Sequence, residues 1–283
     1  MPAIHAERRR ALAPAFDIAQ RHVASREVPF VILGVGDAAG VIRLEAYTHP
    51  DGPRVGTDAV CLLASITKPI VAAAVLQQVE AGRITLNVPL GEWAPAMVNP
   101  SWAPVTTWHV LTHTSGIDDV DLEDLIVRGQ GREELLRRVM RVPQVTPPGT
   151  TYHYASVPFD LLAEAVAEAV SEPFEALLSR TLLDPLWMSD TSFDPREDPS
   201  LAPRVAPVAI GGLEGHGADT QVPDVSLVEG YTRLRLHGGG LWSTASDLLR
   251  FGRAMLRGGE LDGVRVLSPA TVALMTREVT APR

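Results

Sequence analysis

Lysine and cysteine are almost absent from this 283-residue chain, which has one of each, Lys68 and Cys61. A single cysteine excludes an intrachain disulfide and any metal site built from several thiolates. Cys61 is a nucleophile by type, but its neighbours Ala59, Val60, Leu62 and Leu63 are apolar and favour an inert core thiol. Positive charge is also short, with 25 Lys and Arg against 34 Asp and Glu and a net charge of −9. That balance argues against nucleic acid and against anionic membrane surfaces as partners. No apolar run approaches the length of a membrane span. Arg8-Arg9-Arg10 is not followed by an apolar stretch of signal-peptide length, so the expected location is cytoplasmic. Repeats and low-complexity segments are lacking too. What remains is an ordinary globular composition, 46% hydrophobic and 21% charged, at a length that fits one large domain or two interlocked subdomains.

The scarcity of lysine singles out Ala64-Ser65-Ile66-Thr67-Lys68-Pro69. Every other strong base is arginine. Arginine serves equally well as solvated charge, but its guanidinium stays protonated, whereas a buried ammonium can lend a proton and take it back. After Lys68, the residues Ile70, Val71, Ala74, Val75 and Val79 recur at helical spacing up to Gly82. Pro69 lacks an N–H and fits only the first turn, which places the helix start close to Ser65. Ser65 and Lys68, three apart, then share a face, and the serine sees the unpaired N–H groups and positive dipole of the helix N-terminus. That geometry suits an acyl-transfer nucleophile. The plainer alternative is a capping serine and a first-turn surface lysine.

The remaining elements read in chain order. Residues from about His5 to Arg26 form an amphipathic helix with Leu12, Phe16, Ala19 and Val23 on one side, interrupted at Pro14. Val28–Gly36 and Val41–Tyr47 are β-type runs joined by Asp37-Ala38-Ala39-Gly40, a hairpin. A Trp- and Pro-rich stretch from Trp93 to Trp108 leads into a short helix ending at Leu111. The acidic run from Asp118 to Asp124 reads as a solvated loop or helix start. Helices follow from about Arg132 to Arg141, from Pro158 to Val170, and from near Pro173. Gly211-Gly212 and Gly215 to Gly217 suggest a mobile surface loop, Tyr231 to Leu236 an extended segment, and His237-Gly238-Gly239-Gly240 a tight turn. Thr244 and Asp247 have capping-box spacing ahead of a helix that ends at Gly258-Gly259.

Four blocks, in order, resemble the serine β-lactamase and penicillin-binding-protein group, in its class C β-lactamase, D-alanyl carboxypeptidase and esterase branch. They are Ala64 to Pro69; Val110-Leu111-Thr112-His113-Thr114-Ser115-Gly116-Ile117; Pro148-Gly149-Thr150 with Tyr154-Ala155-Ser156; and Gly239-Gly240-Leu241-Trp242-Ser243-Thr244-Ala245-Ser246-Asp247. Pro185-Leu186-Trp187-Met188 with Thr191 looks like the family's connector. The resemblance implies an α/β fold, an antiparallel sheet flanked by helices plus an all-α subdomain, with the active site between them. It implies one β-lactamase-related domain over 1–283, with the N-terminal helix and hairpin in 1–60 and a mainly helical part carrying the motifs in 61–283. It also implies Ser65 as the acylated nucleophile, Lys68 as part of its activating pair, and Tyr154 as the catalytic tyrosine. The chemistry is consistent. A serine hydroxyl is a weak nucleophile until a base takes its proton, and a phenol can do so near neutral pH only if a cation lowers its pKa. Tyr152 is the rival, and an aromatic packed at a helix start is the plain alternative. By the same resemblance His113 belongs to a structural corner and His237 to a turn.

Two departures shape the functional expectation. Ser156 stands where the family has an asparagine that orients the lysine and the substrate amide; it is expected to bind substrate with less reach and no amide. This leans toward small esters over β-lactams and D-amino-acid peptides. The family's third motif, Lys-Thr-Gly or a His-x-Gly variant on a strand that lends the second oxyanion N–H, has no counterpart after Ser268-Pro269-Ala270-Thr271, and His237-Gly238-Gly239 comes too early. The sheet is therefore expected to be incomplete, activity weak, and the hairpin edge open to homodimerisation, in a C-terminally truncated form of a longer hydrolase. The expected function is serine hydrolysis of small esters through an acyl-enzyme at Ser65, with no metal and no cofactor. The alternatives are a β-lactamase or D-alanyl-D-alanine peptidase, and a truncated or non-catalytic binding homologue.

Overall fold

The computed structural model of the chain describes residues 2–97, 102–208 and 225–279. The expected N-terminal helix is two helices, α1 (Pro2–Ala11) and α2 (Ala13–Ala24), with Pro14 in the first turn of the second. Proline fits there because the first N–H groups of a helix have no partner. Phe16, Ala19 and Val23 are the buried stripe of α2. Strands β1 (Phe30–Gly36) and β2 (Val41–Thr48) pair antiparallel, Phe30 opposite Thr48, with an irregularity at Val35/Gly36. Side-chain alternation divides the hairpin's two faces. On one face, Arg43 lies 3.8 Å from the ring centre of Phe16 in α2. On the other, Phe30 and Ile32 pack near Val55, Ala59 and Ala206.

Next come β3 (Cys61–Leu62), a 3₁₀ turn Ala64–Ile66, and α3 (Thr67–Glu80). Helix α3 is apolar nearly all round, with Ile70, Val71, Ala73, Ala74 and Val75 fully buried, so it runs through the main core rather than along its surface. Around it stand α4 (Thr107–Leu111), α5 (Leu122–Val127), α6 (Arg132–Val139), α7 (Val157–Val170) and α8 (Phe174–Leu178), the last continuing as a π-helical turn through Leu183. Thr106 caps α4 in a full capping box with His109. Asp121 caps α5, so part of the acidic run is a helix start, as the sequence suggests.

The segment Tyr231–Leu236, expected to be extended, belongs mostly to a helix, α9 (Val225–Leu234). Tyr231 and Leu234 pack inward at helical spacing, and too few residues carry the pattern for two-residue alternation to be told from it. The glycine-rich loop expected at 211–217 lies outside the described residues.

Strand β4 (Trp242–Ser243) pairs with β3, and α10 (Ala245–Leu256) follows, capped by the Thr244 hydroxyl. The capping box is only half made. The Asp247 carboxylate turns away to accept from Asp190 N and the Thr191 hydroxyl. Leu249 of α10 packs over Gly34 and Gly36 of β1, where a Cβ on Gly34 would lie 2.9 Å from it. Strands β5 (Glu260–Leu261) and β6 (Val264–Arg265) make a small hairpin before α11 (Pro269–Thr276).

The described strands thus form three two-stranded antiparallel pieces and no closed sheet. The helices-plus-antiparallel-sheet architecture matches the expected class, and the sheet is as small as the sequence suggests. No described helix is long and apolar enough to cross a membrane.

Candidate active site

Three chain segments meet at the N-terminus of α3. The first is the 3₁₀ turn that carries Ser65. Ala64 just before it has φ +46°, a left-handed conformation rare for a residue with a side chain, and it turns the serine outward at the helix entrance. The second is the stretch Tyr152–Ser156 that leads into α7. The third is the turn His237–Gly240 between α9 and β4. The β3–β4 pair joins the first to the third, with Leu63 N donating to Leu241 O and Leu241 N to the Thr67 hydroxyl. Asp119 joins the second, its Oδ1 accepting from Ser156 N at 2.6 Å and Val157 N at 2.8 Å. Nothing in the sequence distinguished Asp119 from its acidic neighbours.

At this junction the Ser65 hydroxyl has two partners. Tyr154 OH lies 2.6 Å from Oγ and Lys68 Nζ 3.2 Å from it. Lys68 is buried and also donates to Ser156 Oγ at 3.0 Å and to the Gly238 carbonyl at 2.6 Å. Tyr152 is exposed and reaches His113 edge-on rather than Ser65. Ser156, shorter than an amide, still contacts the lysine. A Cβ on Gly238 would lie 2.3 Å from the Ser156 carbonyl, so only glycine fits between that backbone and Lys68.

The electrostatics favour proton removal from Ser65. Partial burial opposes ionisation of Tyr154, but its interactions with Lys68 and Ser65 outweigh that and hold the phenol below its ordinary value. The Lys68 ammonium also lies 4.7 Å from the centre of the Tyr154 ring. His113 stacks on that ring at 4.4 Å and 26°. Burial, and then the charge of Lys68, push its pKa down to about 4, so it is neutral at pH 7. It holds φ +55° at the corner after α4, and its Nδ1 faces Ala155 N. Its contact with Tyr154 makes this corner part of the wall of the site.

His237 is fully buried, contacts Arg132 and Glu175, and is turned away from Ser65. Cys61 is part-buried, and burial pushes its thiol pKa up, against thiolate chemistry. Beside Lys68 opens an apolar cavity of about 270 Å³ whose lining includes Ala72, Leu76, Trp108, His113 and Met275.

Known proteins resemble this chain in sequence and in fold. The family model described as Beta-lactamase matches residues 17–283. Esterase EstB of Burkholderia gladioli is 31% identical over 228 residues, 68% of this chain and 56% of that protein. Penicillin-binding protein 4 of Amycolatopsis lactamdurans is 33% identical over 236 residues, 81% of this chain and 59% of that one. Simvastatin synthase (LovD) from Aspergillus terreus superposes with a TM-score of 0.76 at 20% identity, over 96% of this chain and 73% of that one. The chain spans 59% or less of the length of the curated relatives described here. With a family match over nearly its whole length, and a fold that superposes on a penicillin-binding protein homologue with a TM-score of 0.72, the chain belongs to the Beta-lactamase family.

Proposed function

We propose that the chain is an acyl-transferring serine hydrolase whose nucleophile is Ser65 and whose preferred substrates are small carboxylic esters. The observation that carries this reading is the double contact on one hydroxyl, with Tyr154 OH at 2.6 Å and Lys68 Nζ at 3.2 Å. In this mechanism Tyr154, as phenolate beside the Lys68 ammonium, takes the proton of Ser65 as Oγ attacks the substrate carbonyl carbon. Tyr154 then returns the proton to the departing alcohol. A water molecule, activated by the same pair, releases the acid and restores Ser65. Ser156 positions Lys68, and lacking an amide it favours esters over amide-bearing substrates.

His237 is occupied inside the core and offers Ser65 no second oxyanion donor. A second reading, hydrolysis of β-lactams or D-alanyl peptides, is favoured by the relatives named penicillin-binding protein and D-alanyl-D-alanine-carboxypeptidase/endopeptidase.

Mass-spectrometric mapping of a fluorophosphonate adduct tests the nucleophile. The adduct should fall on Ser65 and vanish in Ser65→Ala, and a folded chain that takes no label would end the proposal. Short-chain p-nitrophenyl esters should be turned over faster than nitrocefin, and Ser156→Asn should raise the β-lactam rate relative to the ester rate. Nitrocefin turnover by the unmodified chain that outpaces the esters selects the second reading.

A further inference from the structure

Lys68 is held by three acceptors, and they are not equivalent. Ser65 Oγ and Ser156 Oγ are rotatable hydroxyls, at 3.2 and 3.0 Å. The Gly238 carbonyl, at 2.6 Å, is the shortest contact and the one fixed in the backbone. A charge-assisted bond of this kind fixes where an ammonium sits. Gly238 has no side chain to anchor it, so the direction of its carbonyl is set by the turn from residue 234 to 240, in which Gly239 N and Gly240 N both donate to Leu236 O.

Those residues are gripped by one side chain from another part of the chain. Arg132, at the start of α6, donates through Nη1 to Arg235 O at 2.8 Å, to Leu234 O at 3.3 Å and to Asp160 Oδ1 at 3.0 Å. Its Nε and Nη2 reach Glu164 Oε1, and Nη2 also meets His237 Nδ1 at 2.7 Å. Asp160 Oδ1 in turn accepts from His237 N at 2.9 Å. A guanidinium can only donate, so Nδ1 of His237 accepts, and the ring proton sits on Nε2, 3.3 Å from Glu175 Oε1. Phe174 and Phe193 stand edge-on to the imidazole at 5.0 and 4.9 Å and hold the plane of the ring. A purely structural clamp between α6 and α7 would need only Asp160 and Glu164. The other donors of Arg132 all go to the turn that ends in the Gly238 carbonyl.

We infer that Arg132, acting through His237 and the 234–238 turn, is the positioning residue for the Lys68 ammonium, although it touches neither Ser65 nor substrate. This rests on the hydrolase reading for its catalytic consequence, but its structural content can be read without any activity. Lys68 is the only lysine, so feeding [ζ-¹⁵N]lysine gives one side-chain ammonium signal. Bound on three sides, its hydrogens exchange slowly with water.

The variants are Arg132→Gln, His237→Leu, His237→Gln and Glu164→Gln, each checked for folding by its melting curve. In folded Arg132→Gln and His237→Leu, the ammonium signal should be lost to fast exchange, and fluorophosphonate labelling of Ser65 should slow by about tenfold or more, the scale of one charge-assisted hydrogen bond. In His237→Gln the side-chain amide can accept from Arg132 and donate toward Glu175, so it should keep both the signal and the rate. Glu164→Gln loosens only the other arm of Arg132 and should keep the signal. An ammonium signal that persists in both disruptive variants would overturn the inference, as would one lost equally in Glu164→Gln. His237→Leu alone decides the matter if Arg132→Gln fails to fold. Absence of labelling in the unmodified chain strikes the hydrolase reading and leaves the ammonium test intact.

Discussion

Lysine and arginine are alike in charge and unlike in shape. The buried Lys68 ammonium makes three contacts, at 3.2, 3.0 and 2.6 Å, that a planar guanidinium cannot reproduce in the same space, so Lys68→Arg should lose about a hundred- to ten-thousand-fold in ester turnover, nearly as much as Lys68→Ala, while the melting curve shows an intact fold. Near-normal turnover in the Arg variant would show that a positive charge alone is enough. His113 makes a prediction about acid. Its folded pKa of about 4 lies below the ordinary 6.5. Between those values the unfolded chain binds a proton that the folded chain does not, so stability falls as pH drops through that window and is unaffected by His113 above it. His113→Asn, which tolerates a left-handed backbone and does not titrate there, should flatten the loss of urea stability between pH 6.5 and 4; an unchanged slope would place the acid sensitivity elsewhere. At this scale the sequence was informative where a residue type was scarce, as with the lone lysine. It was silent on Asp119 and Arg132, which are an ordinary aspartate and arginine until the fold brings distant segments to them.

Elements with long apolar periodicity were legible, and short ones were not. The helix after Ser65 and the helix from Val157 announce themselves by pattern and by proline near the start. The Tyr231–Leu236 segment was misread because six residues cannot separate a period of two from one of 3.6. Its true helical state has a packing signature at Gly230. A Cβ there would lie 2.6 and 2.7 Å from the Cγ2 and Cγ1 atoms of buried Ile126, so α9 approaches α5 as closely as a glycine allows. Gly230→Ala would add about 1 kcal/mol of helix propensity. Overpacking against a stiff β-branched side chain should outweigh it, typically by about 1–3 kcal/mol. The expected outcome is a lower melting temperature despite the better helix former, and a raised one would mean the two helices can move apart.

For the molecule as a whole, the order of the sequence blocks was enough to indicate the architecture, because each block sits at a junction the fold cannot do without. The extent of the sheet was harder, since strands of two residues such as Cys61–Leu62 leave no alternation to read. Among the described residues no third strand pairs with the β1–β2 hairpin, and two strands alone are marginal in water. Open backbone donors and acceptors invite another strand, so concentration-dependent self-association is expected in light scattering after size exclusion. A monodisperse monomer at high concentration would show that the flanking helices α1, α2 and α10 protect the edges well enough. Pro69, placed in the first turn of α3 directly after the sole lysine, has a further effect that does not depend on folding. Trypsin-like cleavage after a basic residue is slowed when proline follows, so digests of the denatured chain should be cut at arginine and leave Lys68 inside its peptide. In the folded state Lys68 is buried, so amine-directed tags meet no exposed side-chain amine among the described residues.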